Sequence, residues 1–447
     1  MTVATGSALW APERRGATVG VLLLVMLAAF ESMGVTTALP TIVRDLHGDA
    51  LYSWPFTMFL AAQVVGNVVS GRVCDRRGPA PMLMLGPLLF ALGLLVAGTA
   101  GSMAQLLAGR ALQGFGGGAE VVAVYVMIAA VYPERDRPVV IGAMSAVWVV
   151  PSLVGPAVAG LLTQYVNWHW VFLGLLPFEL IGWVLVVAVV RRLPVVAREG
   201  QRRRGQVVVA VSAAVGLALV SLAGDQLNLV GVGVIVLGLA LVVPAVLMLL
   251  PRGTVTARRG LPSAMVARAL MSAAFMGCEA FLPLVLQQVH GYQPAWAGLP
   301  LTAGAIGWAI GSSIQARRPA LGETVFLRWG FFSLTVGIGL VTLVAPAWGP
   351  AWLAAPAWIF SGIGMGLATT SASVLVLRLS PESDRGFNTA ALQMSDLFAQ
   401  SLSIGLGGVL VALLGPTGGW APLNAVFVAC TLIGGLLVSR RADLPPA

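Results

Sequence analysis

Residues 114–116 read Gly114-Phe-Gly116, and 248 positions later the chain reads Gly362-Ile-Gly364. The loop after the first is Pro133-Glu134-Arg135-Asp136-Arg137, and the loop after the second is Pro381-Glu382-Ser383-Asp384-Arg385, at the same spacing. Glu31 and Glu279 are again 248 positions apart. A weaker echo joins Gly71-Arg-Val-Cys-Asp75-Arg76-Arg77 to Gly311-Ser-Ser-Ile-Gln315-Ala-Arg317, at an offset of 240. A constant offset at three well-separated places marks two related halves.

Composition says where those halves reside. Of 447 residues, 58% are hydrophobic and only 10% charged, against about 25% charged in an ordinary soluble domain. Too little polar surface is present to cover a water-facing particle of this mass, and a lipid-facing exterior removes the difficulty. A spanning helix needs roughly 20 apolar residues, because the hydrocarbon core is about 30 Å thick. Fourteen such runs are expected, beginning near Ala17, Ser53, Pro81, Met103, Pro138, His169, Val207, Leu229, Pro262, Ala295, Thr324, Ala351, Gly386 and Trp420. They are too long for barrel strands and do not alternate, so helices are the expected solution.

The formal net charge is +9, and every basic residue is Arg. The arginines cluster in short loops between apolar runs, which indicates membrane topology rather than nucleic-acid binding. Arg14 and Arg15 precede run 1; Arg72, Arg76 and Arg77 follow run 2; Arg135 and Arg137 follow run 4. The same alternation continues through Arg191, Arg192, Arg198, Arg202, Arg203 and Arg204, then Arg252, Arg258 and Arg259, Arg317 and Arg318, Arg378 and Arg385, and Arg440 and Arg441. The odd-numbered loops hold almost none, Arg44 being the exception, and the positive-inside rule places both termini in the cytoplasm. Residues 1–192 are expected to form one six-helix bundle and 261–447 a second. Residues 193–260 supply a cytoplasmic linker and two inserted spans, separated at Asp225, Gln226 and Asn228. No cleavable signal is expected, the first run being read as a retained helix. Cys74, Cys278 and Cys430 are too scattered for a disulfide framework or metal spacing. Repeated membrane bundles place a substrate site at their interface near mid-bilayer, opened to each side in turn by rocking.

Several segments resemble signatures of the major facilitator superfamily, in particular its fourteen-span drug:proton antiporter branch, and the resemblance covers essentially the whole chain. Gly71-Arg-Val-Cys-Asp75-Arg76-Arg77-Gly78 is similar to the family's loop after span 2, whose Gly allows close packing and whose Asp and Arg form a cytoplasmic charge latch. Pro79 and Ala80 stand where basic residues are usual, which implies a weaker latch. Arg110-Ala-Leu-Gln113-Gly114-Phe-Gly116-Gly117-Gly118-Ala119 resembles the span 4 motif of proton-coupled members, a resemblance that implies a coupling role for Arg110. Gly155-Pro156-Ala-Val-Ala159-Gly160 resembles the antiporter motif of span 5, with Ala159 in place of a usual Gly. Glu31-Ser-Met-Gly-Val-Thr-Thr-Ala-Leu-Pro40 is similar to the span 1 motif of the fourteen-span branch, with Glu in place of Asp. The resemblance implies efflux of lipophilic, cationic small molecules in exchange for protons.

Acidic side chains inside the runs are the expected working parts. Glu31 lies about 20 Å along its helix at 1.5 Å per residue, and Glu120, Glu179, Glu279 and Asp396 are also inside runs. A charge at a helix centre facing lipid costs about 2.5–3.5 kcal/mol, so a chain carrying five needs pairing or a wet cavity. A carboxyl deprived of water favours its neutral form, which lets it carry a proton, and when ionised it attracts a cation. The competing role is a structural ion pair that only holds helices together; Glu120 shares its run with Arg110 and could join it in a polar network. Gln63, Asn67, Gln113, Gln393 and Gln400 are cavity-lining candidates, for which an interhelical hydrogen bond is the alternative role. Phe275 and Trp148 are able to stack on a flat compound, or simply to pack.

No nucleotide-phosphate loop, zinc-binding helix motif or soluble catalytic domain is apparent. The expectation is a gradient-driven carrier with no cofactor and no metal. Its partners would be a small-molecule substrate, protons and the bilayer, without nucleic acid, and it would act as a monomer. Export of a lipid or self-made metabolite is the competing reading, and a membrane sensor or enzyme the distant one.

Overall fold

The computed structural model describes residues 14–133, 136–191, 205–222, 229–381 and 384–441. Among the described residues are sixteen α-helices and no strand. The first half contains α1 (Arg15–Asp45), α2 (Trp54–Arg77), α3 (Ala80–Gly98), α4 (Met103–Val131), α5 (Arg137–Val147), α6 (Val149–Tyr165), α7 (His169–Leu173) and α8 (Leu176–Val190). Two helices follow, α9 (Gln206–Leu222) and α10 (Leu229–Leu249). The remainder comprises α11 (Leu261–Gln288), α12 (Pro294–Ala297), α13 (Leu299–Arg317), α14 (Glu323–Thr342), α15 (Ala354–Leu379) and α16 (Arg385–Arg441). Linker residues 192–204, the break at Asp225, Gln226 and Asn228, and Glu134, Arg135, Glu382 and Ser383 of the repeated loops lie outside the described residues.

Apolar side chains all round a helix suit lipid, and the helix satisfies its own backbone where water is absent. Twelve helical stretches among the described residues are long and apolar enough to cross a membrane. Two features bear on the number of crossings. The last stretch, Phe387–Val438, has 52 residues. At 1.5 Å per residue that is about 78 Å, more than twice the hydrocarbon thickness, and Gly415 breaks it with φ 72° and ψ 168°, followed by Pro416. The apolar helix α9 has 17 residues, roughly 26 Å of rise, and is the shorter partner of α10. The expected fifth run is divided at Trp148, which is 42% exposed, into α5 and α6.

The glycines of the 248-residue repeat have one structural purpose, close approach of neighbouring backbones. A Cβ on Gly114 or Gly118 would strike the α2 backbone at Phe59 or Gln63, and one on Gly116 would strike α3 at Gly86 and Phe90. In the second half, Gly362 and Gly366 abut α13 at Gly304 and Trp308, and Gly364 abuts α14 at Gly330 and Leu334. Thus α4 lies between α2 and α3 as α15 lies between α13 and α14, with equivalent glycines on equivalent faces. Small residues at such contacts replace the hydrophobic drive that lipid cannot supply.

The halves meet at the end remote from the Arg-rich loops. Gln287 on α11 donates Nε2 to the Thr37 carbonyl at 3.2 Å and accepts from Thr41 Oγ1 at 3.2 Å. The Tyr52 hydroxyl donates to the Ala280 carbonyl at 2.7 Å, and Thr302 Oγ1 to the Leu153 carbonyl at 3.2 Å. Gln164 donates to Gln293 across the same seam. Helices α9 and α10 pack on each other, and α9 lies against α2 and α16, where Thr57 and Ser221 share a hydrogen bond of 2.9 Å.

Candidate functional site

Arg110 and Gln113 are three residues apart, so both project from one face of α4. That face meets α1 at Glu31 and α2 at Pro55 and Phe59. All three polar side chains are buried, Glu31 and Gln113 completely. Arg110 donates Nη1 to Glu31 Oε1 and to Gln113 Oε1, the latter at 3.0 Å, and Nε to the Pro55 carbonyl at 3.2 Å. Gln113 Nε2 also donates to Glu31 Oε1, at 3.3 Å. The guanidinium lies 4.4 Å from the centroid of the Phe59 ring, an arrangement favourable to a desolvated cation. Glu31 Oε2 is buried without a hydrogen-bond partner among the described residues. Arg110 therefore engages Glu31; Glu120 lies ten residues further along α4, about 15 Å at helical rise.

Glu279 sits at the repeat-equivalent position on α11, and the residue equivalent to Arg110 is Trp358, again 248 positions on. The fully buried Trp358 lies near the Glu279 carboxyl, with its indole N–H close enough to interact with it but outside good hydrogen-bond geometry. Phe275, one helical turn before Glu279, stacks on Trp358 with centroids 4.8 Å apart and meets Trp308 edge-on at 5.8 Å. Glu279 has no ion pair among the described residues. The same pseudo-symmetric position thus holds a neutralised carboxylate in one half and an unneutralised one, walled by aromatic rings, in the other.

The remaining candidates fall elsewhere. Glu120 on α4 and Glu179 on α8 are both buried, within electrostatic reach of each other, and without a cation among the described residues. Glu179 Oε1 has no hydrogen-bond partner among the described residues. Asp396 on α16 is held by Arg268 on α11 through contacts of 2.8 to 3.0 Å, while Arg268 Nη1 also donates to the Thr369 carbonyl at 3.1 Å. Asn67 is buried against Gly118, and its Oδ1 has no hydrogen-bond partner among the described residues. Gln63 is half-buried on α2, Gln393 is exposed on α16, and Gln400 donates to Ser272 Oγ at 2.8 Å. Asp75 and Arg76 are exposed, and neither has an ion pair among the described residues; Gly78 caps α2 with φ 74°. Gly71 has open space where a Cβ would go. Gly155 faces α1 at Met33 and Phe30, the Pro156 carbonyl meets Gly298, and Gly160 abuts Ala295 on α12, so the Gly-Pro segment of α6 forms part of the closed seam.

Two participants are not among the residues expected from sequence. Arg268 lies six residues into the run that begins near Pro262, and an arginine so placed is itself a signal of an intramembrane pair. Trp358 was legible through the repeat offset, which maps it onto Arg110.

Comparison with known proteins bears on the fold and the family. The model of the Major Facilitator Superfamily matches residues 21–395. The multidrug efflux pump SdrM of Staphylococcus aureus (strain N315) is 24% identical over 418 residues, covering 89% of this chain and 88% of that one. Multidrug resistance protein 3 of Bacillus subtilis (strain 168) is 25% identical over 360 residues, covering 78% and 70%. An Acurin A biosynthesis cluster MFS-type transporter of Aspergillus aculeatus is 33% identical over 186 residues, a match spanning 40% of this chain but only 34% of that relative. A crystal structure of a POT family transporter in complex with a thioalcohol-conjugated peptide superposes with a TM-score of 0.75 over 98% of this chain and 99% of that one, at 14% identity, and so speaks to the fold alone. With its repeated glycine-packed helices and a family match across most of its length, this multi-pass membrane chain belongs to the Major Facilitator Superfamily.

Proposed function

We propose that this transporter exports lipophilic, cationic small molecules in exchange for protons, by alternating access, and that it belongs to the fourteen-span drug:proton antiporter branch. With α9 counted as a crossing and α16 divided into two at Gly415, two crossings are added to the twelve. Residues 1–192 and 261–447 are then the two moving bundles, and α9 with α10 an insertion between them. The Arg-rich ends face the cytoplasm of a cell whose plasma membrane holds the protein as a monomer. The seam is then closed on the outside, the arrangement that loads from within.

The observation that carries the reading is Glu279. Its counterpart Glu31 is neutralised by Arg110, whereas Glu279 has Trp358 in that place and aromatic rings around it. An ionised carboxylate beside ring faces attracts an organic cation. Protonating it abolishes that attraction. Proton and cargo therefore exclude each other: arrival of the cation displaces the proton toward the cytoplasm, and a proton arriving from outside releases the cation. Drug-efflux relatives of bacterial origin support this cargo class. The relative named for a biosynthetic cluster supports a second reading, export of a self-made metabolite by the same steps.

The test is reconstitution into vesicles with an imposed pH gradient. A cationic dye should accumulate against its own gradient and release protons in the native protein, and both should vanish in Glu279→Gln. Dye movement indifferent to the pH gradient, or undiminished in Glu279→Gln, refutes the proposal.

A further inference from the structure

A groove lies on the outer surface of the second half, away from the site above. Helices α13, α14 and α15 leave a lateral groove of about 370 Å³ between them. Its walls are apolar, and they include Trp329, Phe332 and Phe360, which are 61%, 62% and 47% exposed. The polar Ser333 in its wall is already satisfied, donating to the Phe360 carbonyl at 2.6 Å. Arg318, just beyond the end of α13, closes one end. It is exposed and has no ion pair among the described residues. The nearest acid on α14, Glu323, is occupied by Arg378 at 2.9 Å, so it does not cancel the positive end.

The dimensions identify an occupant. From Val325 to Val336 along α14 the groove runs eleven residues, about 16 Å at helical rise. That is half the hydrocarbon thickness of about 30 Å, the depth of one leaflet. An apolar slot one leaflet long, ending at an exposed arginine with no ion pair among the described residues, matches an acyl chain joined to a phosphate. Cationic positions on the Arg-rich side favour anionic headgroups.

We propose that this groove binds an anionic phospholipid of the leaflet on the Arg-rich side, with one acyl chain along Trp329, Phe332 and Val336 and the phosphate on Arg318. The inference is independent of the cargo of the central site.

The test uses the full chain, purified and delipidated in detergent, with lipid binding followed by native mass spectrometry. Phosphatidylglycerol and phosphatidylcholine of identical chains are titrated separately, and inorganic phosphate is added in a third arm. One phosphatidylglycerol should bind in preference to phosphatidylcholine by about fivefold, the effect expected of one arginine at a headgroup. Arg318→Gln should erase that preference, and Val336→Trp should weaken both lipids. Phe332→Asn, at an exposed position that does not threaten folding, should weaken both as well, with thermal unfolding confirming that each variant is folded. An unchanged preference in Arg318→Gln, or unchanged binding in both groove variants, overturns the proposal. So does displacement of the lipid by phosphate alone, which would mark a simple anion site. A dimer that Val336→Trp dissolves would assign the groove to a second copy of the chain and equally overturn it.

Discussion

Arg110 and Trp358 are the same position written twice, and the difference between them is a full charge. Removing Arg110 leaves Glu31 buried and uncompensated, and breaking such a pair costs about 3–5 kcal/mol. Arg110→Ala should therefore lower thermal stability sharply in detergent. The double variant Glu31→Gln with Arg110→Gln should lose much less than the two single losses added together, because neither charge is then left alone. Additive losses in a thermal-shift series would show that the pair is not a unit. The converse change is Trp358→Arg, which installs beside Glu279 the partner that Glu31 already has. Proton-driven export of a cationic dye should fall by about tenfold or more, the equivalent of roughly 1.4 kcal/mol of lost cargo binding, while Trp358→Phe retains most of it. Equal transport by Trp358→Arg and the native protein would remove Glu279 from the cargo site.

At the scale of the helix, the repeat predicts where a methyl group is intolerable. Gly114 and Gly362 each present their α-carbon to a neighbouring backbone, at Phe59 and at Gly304. Backbone cannot step aside as a flexible side chain does, so Gly362→Ala must separate α15 from α13. Overpacking of this kind costs about 1–3 kcal/mol, and a lowered unfolding temperature with reduced yield is expected. Gly339, inside α14, has no neighbouring atom within 4 Å of where a methyl group would stand. There the ordinary preference for alanine within a helix applies, worth roughly 0.5–1 kcal/mol, and Gly339→Ala should be neutral or stabilising. A reversed order of the two variants in thermal unfolding would contradict the packing described. The glycines were legible as a repeat, but which face of α4 or α15 each served was not. That depends on which neighbours stand on either side.

For the whole molecule, the seam between the halves is the feature that motion must break. Gln164 on α6 and Gln293 beside α12 meet there. With Cys74, Cys278 and Cys430 replaced, cysteines at 164 and 293 joined by a reducible bifunctional thiol cross-linker of the span of the two glutamine side chains should stop transport, and reduction of the linker should restore it. Continued transport with the cross-link fully formed would show that the halves do not part at this end. Gly160→Val, which pushes a side chain into the Ala295 backbone, should loosen the same seam and increase labelling of nearby cysteine probes from the outer side.

Sequence alone settled the solvent and the helical class, and it pointed to two related halves. Those follow from local quantities: 10% charged residues, apolar runs long enough to cross a bilayer, and a constant offset of 248. It also singled out Glu31, Glu279, Glu120, Asp396 and Arg110 as intramembrane charges too costly to be idle in lipid. Partnership was a different matter. That Arg110 reaches Glu31 rather than Glu120, that Asp396 is taken by Arg268, and that Glu279 is left facing Trp358 were decided by how separate helices face one another. Electrostatic pairing acts over a few ångströms between residues far apart in the chain, and only the packed bundle sets those distances.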